Sequence, residues 1–311
     1  MKLISVMTAC YNEEENVEDL YNHIKEVFSG LKHYRYEHIF IDNASNDKTV
    51  NILREIAKKD KNVKVIVNAR NFGHIRSPYH GLLQAKGDAV VSLAADFQDP
   101  PQLIPEFIKK WEEGYKMVLG IKSESKEKSL IRYFRKLYYE IVGNLSDKDV
   151  GLVKNYTGFG LYDKKVVDIL REIDDPYPYF RGLICDIGFE KAIIEFVQPE
   201  RKRGITKNNF YTLYDMAMLG ITSYTRVPLR LATFLGFGLS ILSLLVALVY
   251  FIYKIIFWYS FNVGMAPLVI GLFFFSSVQL FFIGIIGEYI GSIQTRILKR
   301  PLVIEKERIN F

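Results

Sequence analysis

Leu93-Ala94-Ala95-Asp96-Phe97-Gln98-Asp99-Pro100-Pro101 closes an apolar run that begins at Ala89. The run Ala89–Ala95 is short, rich in small and branched apolar residues and free of polar alternation, which predicts a strand buried in a parallel sheet. In open α/β sheets ligands sit beyond the carboxyl ends of the strands, and Asp96 stands there with Gln98 and Asp99 behind it. Hard oxygen donors of this kind suit Mg2+ or Mn2+, which bind through one or two carboxylates together with substrate phosphates. The competing reading is structural: an Asp-Pro helix start in which Asp99 caps and Pro100 or Pro101 fills the first turn.

The same grammar extends to both sides. Lys2–Ala9, Glu37–Ile41, Val63–Val67 and Met117–Ile121 read as further strands, alternating with helices over Val17–Leu31, around Ser77–Ala85 and over Leu103–Glu113. Short connections in a βαβα series predict an α/β fold with an open, mainly parallel sheet. Asn155–Asp163 reads as a glycine-containing strand and turn near the site, and Glu190–Val197 as a last strand. Two polar loops lie at strand ends. Tyr11–Asn16 opens a helix with carboxylates, a structural role that suffices for Glu14 and Glu15. Asp42–Thr49 (DNASNDKT) is either a turn with a cap or a site for a ribose or base. No GxGxxG or GxxxxGK[ST] accompanies it, so neither a dinucleotide fold nor a P-loop is supported. His74 reads as a loop histidine.

The chain has 311 residues, enough for about two domains, with 49% hydrophobic and 24% charged residues unevenly spread. Leu231–Tyr253 and Ile255–Gly287 contain no charge. Each run is long enough to cross a hydrocarbon core of about 30 Å, and a charge at mid-span would cost about 2.5–3.5 kcal/mol. Two transmembrane helices are predicted. Met1-Lys2-Leu3 leads into a strand rather than a signal peptide. Cys10 and Cys185 are far apart and lack metal-ligand spacing, which fits buried thiols of a reducing compartment. The net charge of +6 suits a membrane surface better than nucleic acid, because Arg226 and Arg230 precede the first span and Arg296, Lys299 and Arg300 follow the second. Positive flanks put both termini in the cytoplasm and Trp258-Tyr259 at the opposite interface.

Two basic segments stand out. Lys122–Lys136 is either a solvated helix face or an anion site with Arg132, Arg135 and Lys136 on a phosphate near the membrane. Arg201–Lys207 places four cations around Gly204, a candidate clamp on a diphosphate. Phe210–Tyr224 is expected along the interface.

Taken together and in order, these motifs resemble the family-2, GT-A type polyprenyl-phosphate glycosyltransferases, among them dolichol-phosphate mannose synthase and bacterial bactoprenol glucosyltransferases. Tyr11-Asn12-Glu13-Glu14 matches YNEE, Asp42–Thr49 matches DDGSxDxT with Asn43 and Ala44 as substitutions, Arg70-Asn71-Phe72-Gly73 matches RNFG and Asp96–Pro101 matches DLQDPP. Phe180-Arg181-Gly182, the Arg201–Lys207 loop, Gly287-Glu288-Tyr289 and Arg300-Pro301 complete a series that covers nearly the whole chain. The resemblance implies a cytosolic GT-A domain (1–208), with helices on both faces of a Rossmann-like sheet, and a juxtamembrane helix (209–228). A transmembrane hairpin (229–292) and a cytosolic tail with room for a strand (293–311) would follow, in a multi-pass protein of the inner membrane. It implies inverting transfer from a nucleotide sugar to undecaprenyl phosphate, in cell-envelope work such as O-antigen modification, by a homo-oligomer. Thr8, Ala9, Tyr11, Glu13, Asp42, Arg70 and Gln98 would hold the donor, Asp96 and Gln98 the metal, Arg201 and Arg203 the diphosphate, and Arg132 and Arg135 the lipid phosphate.

Two departures bear on mechanism. Ala94-Ala95-Asp96 stands where the family has Asp-x-Asp, and Gly158 stands at the aspartate proposed as base. They leave room for a non-catalytic nucleotide-sugar-binding relative. A processive synthase would need a QxxRW-type motif and more spans, which are absent. A phosphate monoester has its second pKa near 6, so the acceptor is already an anion at neutral pH and needs positioning more than deprotonation. Mg2+ commonly keeps several waters, so Asp96 and the donor's phosphates suffice for it.

Overall fold

The computed structural model describes residues 1–123, 153–199, 210–257 and 265–311. Four parallel strands come first in the chain: β1 (Lys2–Cys10), β2 (Tyr34–Asp42), β3 (Val63–Asn68) and β4 (Ala89–Ala94). Helices α1 (Val17–Gly30), α2 (Thr49–Lys59) and α3 (Gly73–Leu83) connect them. A 3-10 turn at Pro101–Leu103 leads into α4 (Ile104–Glu112), and β5 (Met117–Lys122) follows. Then come β6 (Tyr156–Asp163), α5 (Lys164–Ile173), α6 (Phe180–Asp186) and β7 (Lys191–Phe196). The eight-stranded sheet runs β7-β5-β6-β4-β1-β2-β3-β8, where β8 is Glu305–Ile309. β6 is antiparallel to β4 and β5, and β8 is antiparallel to β3; the other ladders are parallel.

Residue alternation in the strands separates two cores. Ile4, Val6 and Cys10 of β1 join Leu20 and Ile24 of α1, Leu53 of α2 and Phe107 and Trp111 of α4. Met7 of β1 joins Tyr79 and Leu82 of α3, Val166 and Leu170 of α5 and Ile184 of α6 on the other face. Both faces of the sheet are therefore covered, as the near-continuous apolar strands require. α1 buries Val17, Leu20, Ile24 and Phe28, one stripe at helical spacing.

α3 begins at Gly73, earlier than the expected Ser77. The side-chain oxygen of Asn71 accepts the Gly73 N–H at 2.8 Å, satisfying one of the first-turn donors that have no partner within the helix. β6 occupies the position between β4 and β5. Asp163 at its end caps α5 through Lys165 N–H at 2.9 Å and also accepts from Trp111 Nε1 at 2.7 Å, locking that seam.

Beyond the sheet, α7 (Phe210–Tyr224), α8 (Val227–Ile256) and α9 (Met265–Ile297) follow in order. α8 and the stretch Leu268–Ile297 each contain an 18-residue window of high mean hydropathy, 2.4 and 2.3 respectively, and are long and apolar enough to cross a membrane. At about 1.5 Å per residue, 30 residues extend about 45 Å. α7 is held between the globular part and α9. A Cβ on Gly182 of α6 would lie 2.3 Å from the Tyr224 ring, so only glycine admits that close approach. On the other side Arg296 donates to Ser223 Oγ at 2.9 Å and Tyr289 OH to Thr225 O at 2.6 Å. The chain after α9 returns to the far edge of the sheet as β8, where Arg54 pairs with Glu307 at 2.5 Å and His80 with Glu305 at 2.7 Å.

Candidate active site

Three strands end side by side in residues with left-handed backbone: Asn12 (φ 54) after β1, Ala44 (φ 62) after β2 and Phe97 (φ 61) after β4. Such conformations cost non-glycine residues roughly 1–2 kcal/mol each, and they cluster where structure is bent to a site. Hydrogen bonds hold them. Asn12 N–H donates to Ser45 Oγ at 2.8 Å, Asn46 N–H to Asn12 Oδ1 at 2.8 Å, Glu13 N–H to Thr49 Oγ1 at 2.9 Å and Lys48 N–H to Glu14 Oε2 at 2.9 Å. The YNEE and DNASNDKT loops are thereby one unit, and Glu14 serves the start of α2 through Lys48 N–H in place of the expected role at the start of α1.

The candidate donor residues fall into distinct settings. Asp42 is fully buried, and its carboxylate accepts from Ser45 N–H at 2.9 Å and Ser45 Oγ at 2.5 Å. Burial raises its pKa and the Asp47 charge adds to this, against those two hydrogen bonds. Tyr11 and Glu13 are partly exposed in the loop, where Glu13 Oε2 accepts from Asn16 Nδ2 at 2.6 Å. Thr8 is enclosed in the sheet and bonds His38 Nε2 at 3.0 Å; burial pushes that imidazole down to about 3, so it is neutral. Arg70 is exposed and lies over the Phe72 ring at 4.1 Å.

A residue noted in the sequence only as a substitution within the DDGSxDxT match organises the next loop. Asn43 is buried, and its amide donates to Asn71 Oδ1 at 2.9 Å and Gly73 O at 3.1 Å. Its carbonyl accepts from Phe72 N–H at 2.8 Å and Asn68 Nδ2 at 3.1 Å. Only an amide both donates and accepts in this way; a carboxylate at that position would lose the donor half.

Beyond β4, Asp96 is buried and Oδ1 accepts from Gln98 N–H at 3.2 Å. Asp99 caps no helix. Its Oδ2 accepts from Ala94 N–H at 3.0 Å, folding the loop back onto the strand end, and its side chain lines a cavity of about 250 Å³. Burial raises its pKa to about 6 and Asp96 adds to that, against the Ala94 N–H and Lys122. The cavity is walled by Ala9 and Ala94 from the strand ends, His74 and Arg181 at the rim, and Met216 and Leu219 of α7. Loss of water around the ring and the Arg181 charge hold His74 below the usual histidine range, against the pull of Asp215. Gly158 borders the same space at φ +105, and the nearby Thr157 Oγ1 is buried with no partner among the described residues.

The structure thus brings Ala9, Asp99, His74, Gly158 and Arg181 around one cavity, with Asp96 on the adjoining turn. Arg132, Arg135, Arg201 and Arg203 lie outside the described residues. Arg181 was legible in the sequence only as part of Phe180-Arg181-Gly182, and α6 places it at the cavity wall. Among the described residues no group of three or more His, Cys, Asp or Glu converges as a metal cluster. Asp96 with phosphate oxygens from a ligand fits a hard divalent ion that retains waters, and a fully protein-built cage does not.

Comparison with known proteins gives the chain a family. The family model described as glycosyl transferase family 2 matches residues 5–169. The uncharacterized glycosyltransferase YkcC of Bacillus subtilis is 34% identical over 304 residues, covering 96% of this chain and 92% of YkcC. The SfII prophage-derived bactoprenol glucosyl transferase of Shigella flexneri is 33% identical over 305 residues, covering 98% and 97% of the two chains. Among solved structures, glucosyl-3-phosphoglycerate synthase of Mycobacterium tuberculosis superposes over 71% of this chain and 76% of that chain at 18% identity, with a TM-score of 0.49. With a mixed, mostly parallel sheet, polar loops at its strand ends and full-length relatives at this identity, the chain belongs to glycosyltransferase family 2 and is a glycosyltransferase of GT-A fold with a C-terminal apolar hairpin.

Proposed function

We propose that the protein transfers a hexose from a nucleotide sugar to a polyprenyl phosphate at the cytoplasmic face of the membrane, with inversion at C1. The observation that carries this reading is the position of the cavity, which has Asp99 and Ala94 at the sheet end on one side and α7 on the other. α7 in turn docks on α9, one of the two helices apolar enough to cross a bilayer. A water-soluble donor and a lipid acceptor would meet there, which turns a two-phase encounter into a local one. The bactoprenol glucosyl transferase relatives support the acceptor class. Residues 1–208 would form the cytosolic domain, 209–228 the interfacial helix, 229–292 the hairpin and 293–311 the returning tail.

In this reading the nucleoside rests against the Tyr11–Glu13 and Asp42 loops, with Thr8, Ala9, Arg70 and Gln98 behind it. Asp96, with Gln98 beside it, would hold a divalent ion, Mg2+ or Mn2+, arriving with the diphosphate; the chemistry supplied there is neutralisation of leaving-group charge. Arg201 and Arg203 close on the same diphosphate, and Arg132 and Arg135 hold the lipid phosphate. An oxygen of that phosphate attacks C1 from the face opposite the nucleotide. The new C1–O bond forms as the bond to the diphosphate breaks, and the electron pair leaves with the nucleoside diphosphate. The attacking oxygen is already ionised near neutral pH, so no protein base has to take a proton. That accounts for Gly158 at the place of an acid. Arg226, Arg230, Arg296, Lys299 and Arg300 flank the hairpin and support a cytoplasmic placement of both termini.

The test uses the full-length protein in detergent micelles with undecaprenyl phosphate, a panel of nucleotide sugars and Mg2+ or Mn2+. A lipid-linked hexose from at least one donor is expected, with turnover lowered at least about a hundredfold in Asp96→Ala, the scale of a lost transition-state charge contact. Absence of lipid-linked sugar from every donor, or full turnover in Asp96→Ala, overturns the proposal.

A further inference from the structure

Two tyrosines stand behind the cavity wall without lining it. Tyr156 and Tyr162, near the two ends of β6, are fully buried in the core on that face of the sheet, with Tyr79, Val166 and Leu183. Phenylalanines would fill nearly the same space, and a hydroxyl buried among apolar groups costs free energy unless a partner meets it. Here the partner is a backbone group. Tyr162 OH donates to Gly158 O at 2.9 Å and, its proton being committed there, accepts from Tyr156 OH. Burial holds both phenols far above their ordinary range, so each keeps the proton it donates. The carbonyl they serve lies where the strand leaves its ladder. β5 pairs Leu119 with Gly160 and Ile121 with Tyr156, with a shift of register between, and the pairing with β4 stops at Gly160. Thr157–Phe159 form an irregular turn there, with Gly158 at φ +105 as a pivot that side-chain-bearing residues rarely adopt. All three residues of the turn line the cavity. The Tyr162 ring also meets the Phe180 ring edge-on at 5.3 Å, and Phe180, another lining residue, lies 3.7 Å from where a Gly158 Cβ would stand. One side chain thus fixes the β6 wall and the α6 wall together.

We propose that Tyr162, backed by Tyr156, is a positioning residue for the transfer reaction: it holds the Thr157-Gly158 turn and Phe180 as the wall against which the transferred hexose is oriented. The inference rests on the glycosyl transfer reading above, in which the diphosphate lies at Asp96. A hexose is joined to that diphosphate through a single oxygen, so its ring falls in the adjoining cavity, between Ala94 and the turn. With glycine at 158 the wall has no side chain at its pivot, and its place is set from behind by the Tyr162 hydroxyl.

The experiment uses full-length wild type, Tyr162→Phe, Tyr156→Phe and the double variant Tyr156→Phe/Tyr162→Phe in detergent micelles, with two readouts. Titration calorimetry gives Kd for UDP-glucose, UDP-N-acetylglucosamine and GDP-mannose, and for UDP and GDP alone. Steady-state transfer to undecaprenyl phosphate gives kcat and both KM values. Tyr162→Phe should weaken the best-bound nucleotide sugar about fivefold, the scale of one net hydrogen bond, and leave its bare nucleoside diphosphate unchanged. Its kcat should fall about tenfold with the acceptor KM unchanged, because what is lost is orientation. The double variant, which leaves no phenol without a partner, should repeat both losses. Tyr156→Phe keeps the donor to Gly158 O and should lose no more than about twofold in either readout. Wild-type values in both variants that lack the Tyr162 hydroxyl overturn the proposal while the transfer reading stands. Equal weakening of the nucleotide sugar and the bare diphosphate also overturns it, as the mark of a general loss of structure. If the sugar-specific loss is seen but no lipid-linked sugar forms with any donor, the positioning of the hexose stands and the acceptor reading falls. No binding of any nucleotide sugar to wild type overturns both.

Discussion

Replacing Gly158 with aspartate supplies the acid that the family resemblance implies at this position and separates two explanations of the glycine. Gly158 sits at φ +105, outside the region that even aspartate tolerates, while a Cβ there would meet only Phe180 at 3.7 and 3.8 Å, ordinary contact. The cost is therefore backbone strain and not a clash, about 1–3 kcal/mol. Gly158→Ala isolates that strain and should cost about the same, a loss of a few degrees in Tm for a chain of this size. A carboxylate added in the cavity that Asp99 lines, where burial has already raised the Asp99 pKa to about 6, also meets a like charge. If the acceptor is an ionised phosphate, the new acid has no proton to remove, and kcat for transfer stays level or falls. Thermal unfolding of wild type, Gly158→Ala and Gly158→Asp in the same detergent, with transfer rates at saturating substrates, gives both numbers. A Gly158→Asp protein whose kcat rises tenfold or more would refute the reasoning, because it would show that a missing base limits the reaction.

Other consequences are equally open to measurement. Asp99 has a native pKa near 6 against 3.8 ordinarily, so the folded state binds more protons between those values and stability falls as pH rises through that window, by up to about 3 kcal/mol. Asp99→Asn should remove that part of the pH dependence, seen as the difference between the two unfolding curves from pH 4 to 7. Glu37 is nearly inaccessible and accepts from Lys64 Nζ at 2.5 Å, Ser5 Oγ at 2.5 Å and Lys86 N–H at 2.9 Å. Lys64→Ala strands a buried carboxylate and should cost about 3–5 kcal/mol by chemical denaturation, whereas Arg54→Ala at the exposed Glu307 pair should cost under about 1 kcal/mol. Ala44→Gly at φ 62 exchanges left-handed strain for chain entropy and should change stability by no more than about 1 kcal/mol, in the stabilising direction, by thermal unfolding.

The strands were legible because buried parallel strands are written as mostly apolar runs without polar alternation; Ala89–Ala94 and Lys2–Cys10 are instances. The two long apolar helices were legible for the same reason, being hydrophobic all round. Partners were not. Nothing in Tyr156–Asp163 states that it pairs with both β4 and β5, since pairing is decided by three-dimensional closure across residues far apart in the chain. The five residues of β8 carry alternating charges, and their place beside β3 comes from contacts such as Arg54–Glu307 that a sequence does not display. In the site, the Asp96 turn was read from chain position alone. Asp99 had two readings, and geometry chose between them: its oxygen meets Ala94 N–H and not a helix terminus. Asn43 and Arg181 stood in quoted motifs, but their places did not show there, because each acts through neighbours brought together by folding, four hydrogen bonds in one case and a cavity wall in the other.

One measurement bears most directly on the whole account: mass spectrometry of the lipid extract after the full-length protein is incubated with undecaprenyl phosphate and each nucleotide sugar. A lipid carrying one hexose per phosphate, formed by wild type and lost in Asp96→Ala, is the expected result. Release of nucleoside diphosphate with no sugar on the lipid, or a sugar-lipid formed equally well without Asp96, would contradict it.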